Sequence, residues 1–389
     1  MKILFSNVGI LDYPTGIFYR SFNLAKGLAA LGHDVEFIST QKKGEFKFPW
    51  KREVRNSVSI ISFPSIMPTK IKKLGYAPLP IILKYYYIRS QNYDICHSDN
   101  HRPSSFLPLW VYSKMKNTKL FIEWMDFFGK GGGRHESKKW IYKLFIGNFD
   151  NYLEKKSVLA CDGVVVLSEY LRNKAIELGR LPKDIVKVWG GSDIDQISCL
   201  NNASSLKKKY SLPVSTRIYS VANLGVEETI KYKDVLLKIL AKDGQTDSII
   251  IKTGSESDLI TKHFGDKLIQ FGNISYLEYC DLLSCSDCFI LIQQNIIQHT
   301  SKWPNIIGDF LAAGKPTIVK PVGEATICAK MYSNAFIKIS SENQSVVDFK
   351  ELEEKSAYKN QEKIRQIAEN EFSWANRSKQ LERFYKKFI

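Results

Sequence analysis

The sequence predicts an α/β protein made of two doubly wound domains in tandem, and three observations carry that expectation. First, 389 residues exceed what one hydrophobic core usually holds, and a composition 44% hydrophobic and 12% aromatic can fill two. Second, short β-branched runs alternate with amphipathic helix patterns, the signature of parallel sheets with helical crossovers. Third, the alternation breaks at residues 201–216, NNASSLKKKYSLPVST, a polar stretch with one proline, and then restarts.

The opening elements are a strand at 3–6, a loop holding Gly9 and Gly16, a helix over 17–31 ended by Gly32-His33, and a strand at 35–39. They form one right-handed βαβ unit. Further strands are expected at 57–62, 95–97, 120–124, 163–167 and 185–188, separated by helical patterns. Beyond the break come strands at 217–221, 248–252, 268–271, 288–292 and 316–320, with helices over 234–241 and 276–285. These place an N-terminal domain at 1–200, a C-terminal domain at 201–370, and a last helix in 371–389 that packs back on the N-terminal domain. Ligands are expected in the cleft between the domains.

Residues 301–319, SKWPNIIGDFLAAGKPTIV, read as loop, helix, turn and strand. Pro304 suits a first helical turn because its missing NH has no intrahelical partner there, and Gly314 suits the stop. Ile306, Ile307, Phe310 and Leu311 share the core stripe, leaving Asp309 at its edge in the N-terminal half, where a carboxylate is favoured. It is either a solvated helix carboxylate or a ligand contact at the mouth of the sheet. In LFIEWMDFFGKGGGRHE, residues 120–136, a strand ends on carboxylates and a glycine-rich loop follows; groups just beyond a parallel strand point to where ligands bind.

No run of 18 uncharged apolar residues occurs, so no transmembrane helix is expected. Asn7 and Asp12 interrupt the N-terminal apolar run and no small-residue cleavage site follows, so it reads as a strand of a cytoplasmic protein. Seven cysteines are scattered, and only Cys285 and Cys288 have CxxC spacing; they read as reduced packing residues. The formal charge is +16, and residues 1–150 hold 23 Lys+Arg against 11 Asp+Glu, compared with 56 against 40 overall. That asymmetry suggests that the N-terminal half faces something anionic. Segments 68–89 and 138–156 interleave lysines with aromatic and aliphatic residues, the mixture of an interfacial helix, so an anionic membrane surface is an expected partner. Their alternative reading is amphipathic helices whose apolar sides belong to the core. With no zinc or RRM-like motif, nucleic acid is not an expected partner.

Four segments, taken together, carry a resemblance: TGIFYRSFNLAKGLAALGHDV (15–35); LACDGVVVLSEYLRNKAIELG with IVKVWGGSDID (159–195); LIQFGNISYLEYCDLLSCSDCFILIQ (268–293); and WPNIIGDFLAAGKPTIV (303–319). They resemble the glycine loop, last N-domain strands, base-binding segment and donor helix of GT-B fold glycosyltransferases, close to family 4. The resemblance implies two Rossmann-like domains facing across a cleft. It implies retaining, metal-independent transfer of a hexose from a nucleotide sugar to a glycan or lipid-linked acceptor, with no cofactor.

Residue by residue, the resemblance puts Gly16 beside phosphate or sugar, Lys233 on the phosphates, and Gly254 in the donor set. Gly272 to Ile274 hold the base, and Trp303 and Asn305 lie beside the diphosphate. Asp309 becomes the ribose carboxylate, its two oxygens taking two vicinal hydroxyls. Asp126 falls beside the position near the transferred sugar, to orient it or take the acceptor proton, with Glu123 in reserve. The sequence departs from the family pattern at Asn223, where an arginine is usual, at Ser301, where the first acidic residue stands, and at Gly190-Gly191, where Asn-Gly is usual. Asp193-Ile194-Asp195 spells DxD but follows KVWGGS, where a loop between domains is expected, so no metal site is assigned. The other functions weighed are a GT-B-like epimerase and a non-catalytic sugar-nucleotide-binding protein.

Overall fold

The computed structural model describes residues 1–13, 15–42, 44–132, 140, 143–197, 203–221, 224–242, 247–339 and 347–389. It divides into two compact units, one formed by Met1–Gly190, Ile296–Trp303 and Trp374–Ile389, the other by Gly191–Asn295 and Pro304–Ser373. The division thus falls at Gly190-Gly191, ahead of the polar stretch at 201–216, and Ile296–Trp303 goes with the first unit.

The first unit holds β1 (Lys2–Ile10), β2 (Asp34–Thr40), β3 (Lys51–Arg55), β4 (Val58–Phe63), β5 (Ile95–Ser98), β6 (Lys119–Trp124), β7 (Gly163–Val166) and β8 (Ile185–Lys187). Their order is β3-β4-β2-β1-β5-β6-β7-β8, and every pairing is parallel except β3 with β4. Parallel strands are buried on both faces, and successive side chains go to opposite sides. Accordingly Ile3 and Phe5 join Val35, Phe37 and Phe121 under the helices Gly16–Ala30 and Trp374–Tyr385, whereas Leu4 joins Ile38, Cys96 and Ile122 under Pro78–Ile88 and Pro103–Lys116. The terminal helix lies on the first at a position where Gly27 has no room for a Cβ, which would stand 2.1 Å from Ser378 Oγ.

The edge strand β3, KREVR, lies outside the expected strands. Four of its five residues are charged and it has no apolar run, as suits an edge strand protected from pairing, so it carries no core signal.

The second unit holds β9 (Arg217–Val221), β10 (Ser248–Thr253), β11 (Leu268–Phe271), β12 (Cys288–Leu291), β13 (Thr317–Val319) and β14 (Phe336–Lys338) in the order β11-β10-β9-β12-β13-β14, all parallel. Among the parallel strands of each sheet the order reverses once, between β1 and β5 and between β9 and β12. Such switch points open a crevice at the carboxyl ends of the strands.

Candidate functional site

At the β1/β5 switch point the first unit carries a buried polar network. Asp99, just past β5, accepts from Asn7 Nδ2 (2.7 Å), Val8 N (3.1 Å), Ser21 Oγ (3.2 Å) and Ser105 Oγ (2.8 Å). Lys84 donates to the carbonyls of Asn7 (2.7 Å) and Ser104 (2.8 Å). Burial lowers the Lys84 ammonium and raises the Asp99 carboxyl, and each partner's charge opposes the other's shift. Lys84, read in the sequence as part of an interfacial lysine pattern, is therefore a core residue. Lys72 is also buried.

Glu123, the reserve catalytic carboxylate, is sealed inside the sheet and saturated by an ion pair. Arg20 reaches it with Nε (3.1 Å to each oxygen) and Nη2 (2.9 Å), and also donates from Nη2 to the carbonyl of Val188 (3.0 Å) and from Nη1 to that of Trp189 (2.9 Å). Glu123 is 1% exposed, so this reserve candidate stands in the core, paired with Arg20. Next to the pair, His97 Nδ1 lies 2.6 Å from the Tyr385 hydroxyl, and burial together with Arg20 pulls the imidazole down to about 3, so it is neutral.

Asp126 is only partly buried, on the loop after β6. The helix Asn148–Ala160 holds that loop through Glu154, which accepts from Trp124 Nε1 (2.7 Å), Phe128 N (3.0 Å) and Gly129 N (2.6 Å). One turn earlier Asp150 accepts from Arg102 Nη2 (3.2 Å) and from the Tyr76 hydroxyl. Gly16 is the exposed first residue of its helix, whose cap is Thr15, accepting from Phe18 N (3.3 Å).

In the second unit Asp309 sits in the first turn of the helix Ile306–Ala312, which Gly314 (φ +70°) ends. Its Oδ1 accepts from Ser192 Oγ (2.7 Å) and its Oδ2 from Tyr279 OH (3.2 Å). Burial pushes this carboxyl up to about 6 against those two hydrogen bonds, and the charge of Asp193 adds to the rise. The segment carrying Ser192 is itself fixed. Ser192 N donates to Phe372 O (2.7 Å), and Arg365 holds the carbonyls of Ile194 (3.0 Å), Ile197 (2.7 Å) and Ala312 (2.6 Å). Each carboxylate oxygen thus accepts one side-chain hydrogen bond, half of its two-lone-pair capacity.

Beyond β10, Gly254 adopts φ +95°, a conformation that suits glycine, and its NH donates to Phe271 O (3.1 Å) and Gly272 O (3.0 Å). This joins two of the expected donor residues directly, with Ile274 two positions on and partly buried. Asn305 is exposed, and Lys233 opens the helix Lys233–Lys242. Asn223 lies outside the described residues. Ser301 and Trp303 belong to the first unit: the Ser301 carbonyl accepts from Ser168 Oγ (2.6 Å), and Trp303 stacks on Trp189 with centroids 4.8 Å apart. The sequence reading grouped them with Asp309.

Among the described residues no group of three or more His, Cys, Asp or Glu could hold a metal. The six cysteines described are free and buried, and Cys199 lies outside. None of the described helices is long and apolar enough to cross a membrane. Of segment 138–156, residues 138–139 and 141–142 lie outside the described residues; Trp140 is 71% exposed, and Phe149, Tyr152 and Leu159 line the exposed side of their helix beside Lys155 and Lys156.

Ser192, Tyr279, Glu154, Asp150 and Arg102 were not singled out from the sequence. The one local signal was the dense polar run HSDNHRPSS (97–105) after a short strand; the others are long-range partners.

The model of the family "Glycosyltransferase Family 4" matches residues 14–196. A search of curated proteins by sequence returns no match. Among solved structures the chain is similar to a glycosyltransferase from Rickettsia africae ESF-5 (17% identity, TM-score 0.69, covering 99% of this chain and 98% of that one). It is similar to Anabaena HepE, whose crystal structure holds UDP and glucose (14%, 0.68, 100% of both). It is also similar to WaaG, a glycosyltransferase involved in lipopolysaccharide biosynthesis (13%, 0.67, 98% and 99%). The chain therefore has the fold of the GT-B glycosyltransferases, two Rossmann-like α/β domains, and over residues 14–196 it matches glycosyltransferase family 4.

Proposed function

We propose that this protein is a glycosyltransferase that moves a hexose from a nucleotide sugar to a glycan or lipid-linked saccharide, with retention of configuration and without a metal. The observation that carries the reading is Asp309. It is a partly buried carboxylate in the first turn of a helix beside a parallel sheet, oriented by two hydroxyls and left with acceptor capacity for a vicinal diol. The family match over the first unit and the UDP and glucose held by HepE support the same class.

In this reading the ribose hydroxyls donate to Asp309, Lys233 faces the diphosphate, and the turns at Gly254 and Gly272 to Ile274 receive the base. Asp126 and Gly16 serve the sugar and acceptor side. The bond between the anomeric carbon and the diphosphate oxygen breaks, the bond to the acceptor oxygen forms, and Asp126 orients the sugar or takes the acceptor's proton.

The place of action is the cytoplasmic face of a membrane, in surface polysaccharide or glycoconjugate synthesis. Phe149, Tyr152 and Leu159 beside Lys155 and Lys156 give a face that mixes apolar contact with charge, and each basic residue near an anionic surface adds about 1 kcal/mol. Co-sedimentation with neutral and anionic liposomes tests this. Salt-sensitive binding to anionic vesicles, weakened by Lys155→Glu with Lys156→Glu, is expected; equal binding to both vesicle types, or none, contradicts it.

A further inference from the structure

We infer that Glu154 is a positioning residue for sugar transfer: its carboxylate fixes both ends of the loop that carries Asp126. The inference rests on the reading of Asp126 as the group beside the transferred sugar. Trp124 closes β6 two residues before Asp126, and its indole Nε1 donates to Glu154 Oε1 (2.7 Å). Phe128 and Gly129 follow two and three residues after it, and their backbone NH groups donate to Oε1 (3.0 Å) and Oε2 (2.6 Å) of the same carboxylate. Asn151, on the adjoining turn of the helix, takes the next NH, that of Lys130 (3.1 Å).

The loop is therefore fastened on both sides of Asp126 to a helix, and the fastening leaves no slack. A Cβ at Gly129 would stand 2.5 Å from Glu154 Oε2 and 2.7 Å from Asn151 Oδ1, so only glycine lets the backbone close on the two side chains. Glu154 is 1% exposed, which keeps water from competing for these donors. Its neighbour Asp150 does the same for two other loops of this unit, through Arg102 after β5 and Tyr76 before the helix Pro78–Ile88. A carboxylate needed only to stabilise the helix would not have to bracket one partly exposed aspartate.

Glu154→Gln keeps the shape but turns one acceptor oxygen into an NH2 group facing an NH donor, so one end of the loop comes free. A displacement of about 1 Å at a reacting group can lower turnover about a hundredfold. The expected result is a fall in kcat of roughly tenfold or more with UDP affinity and KM for the donor nearly unchanged, since Lys233, Gly254, Gly272 and Asp309 lie in the other unit. Combined with Asp126→Asn, it should lower turnover little beyond Asp126→Asn alone, because both act through one group. Gly129→Ala pushes the loop off the same carboxylate from the other side, and it should show the same split between kcat and donor affinity even if Glu154→Gln does not fold. Unchanged kcat in Glu154→Gln or Gly129→Ala, or losses that multiply in the double variant, would overturn the inference. Full turnover in Asp126→Asn would instead sink the reading of Asp126 on which it rests.

Discussion

Replacing Asp309 by alanine is the sharpest perturbation of the proposed donor site. The carboxylate already accepts one hydroxyl at each oxygen, from Ser192 at 2.7 Å and from Tyr279 at 3.2 Å, so it is oriented before any ligand arrives. Hydrogen bonds to a charged group contribute about 1.5–3 kcal/mol, and every 1.4 kcal/mol is about tenfold in affinity. Losing even one ribose contact should weaken UDP binding roughly tenfold, and losing both should weaken it by a hundredfold or more. Titration calorimetry with UDP and 2′-deoxy-UDP separates this from general damage. The wild-type protein should prefer UDP, and Asp309→Ala should bind the two nearly alike with a melting temperature close to that of the wild type. The carboxyl is pushed up to about 6, so wild-type affinity should also fall as pH drops through that value, when a proton takes up one acceptor position. Equal losses for both nucleotides, or unchanged binding of UDP, would refute the ribose assignment and leave Asp309 a structural carboxylate.

Three further outcomes follow from the same geometry. Asp126→Asn should lower turnover about 10²- to 10⁴-fold with little change in donor affinity; retention of more than about half the turnover would remove Asp126 from the chemistry. Gly27→Ala should destabilise the first unit by about 1–3 kcal/mol in urea melts, because the new methyl would stand 2.1 Å from Ser378 Oγ on the terminal helix; an unchanged midpoint would mean that the helix yields without cost. Burial, opposed by its three donors and reinforced by the charge of Asp150, pushes Glu154 up to about 7 from a usual 4.5. The native state then holds a proton that the unfolded chain has released, so this group's contribution to stability falls as pH rises from about 4.5 to 7. Glu154→Gln should flatten that slope in denaturation curves, and a slope identical to the wild type would show that the group does not titrate in this window.

Much of the fold is legible because parallel strands are buried on both faces and read as continuous apolar runs. GVVV in β7 and CFIL in β12 are of this kind. KREVR in β3 is not, since half of an edge strand's surroundings are water. The helix that carries Asp309 was legible through local rules, a proline before it and a glycine after it, whereas the ribose role came from the resemblance alone. The partners of Asp309 were not: Ser192 stands 117 residues away in sequence, and Tyr279 stands 30 away on another helix. Lys84 misleads for a related reason. In PIILKYYYI it looks like a lysine between membrane-facing aromatics, yet it is buried and donates hydrogen bonds to two backbone carbonyls. Glu123 stands in a strand-end position that favours ligand contact, but Arg20, 103 residues earlier, has claimed both of its oxygens. Periodicity reports which face a residue occupies; it does not report which distant group meets it there.

The most direct test of glycosyl transfer is to incubate the purified protein with a panel of nucleotide sugars, with and without saccharide and lipid-linked saccharide acceptors, and to follow released nucleoside diphosphate and product together. Acceptor-dependent release from one donor, matched by a glycosylated product and lost in Asp126→Asn, is the predicted result. Isomerised donor without any acceptor, or tight nucleotide binding with no turnover across the panel, would contradict it.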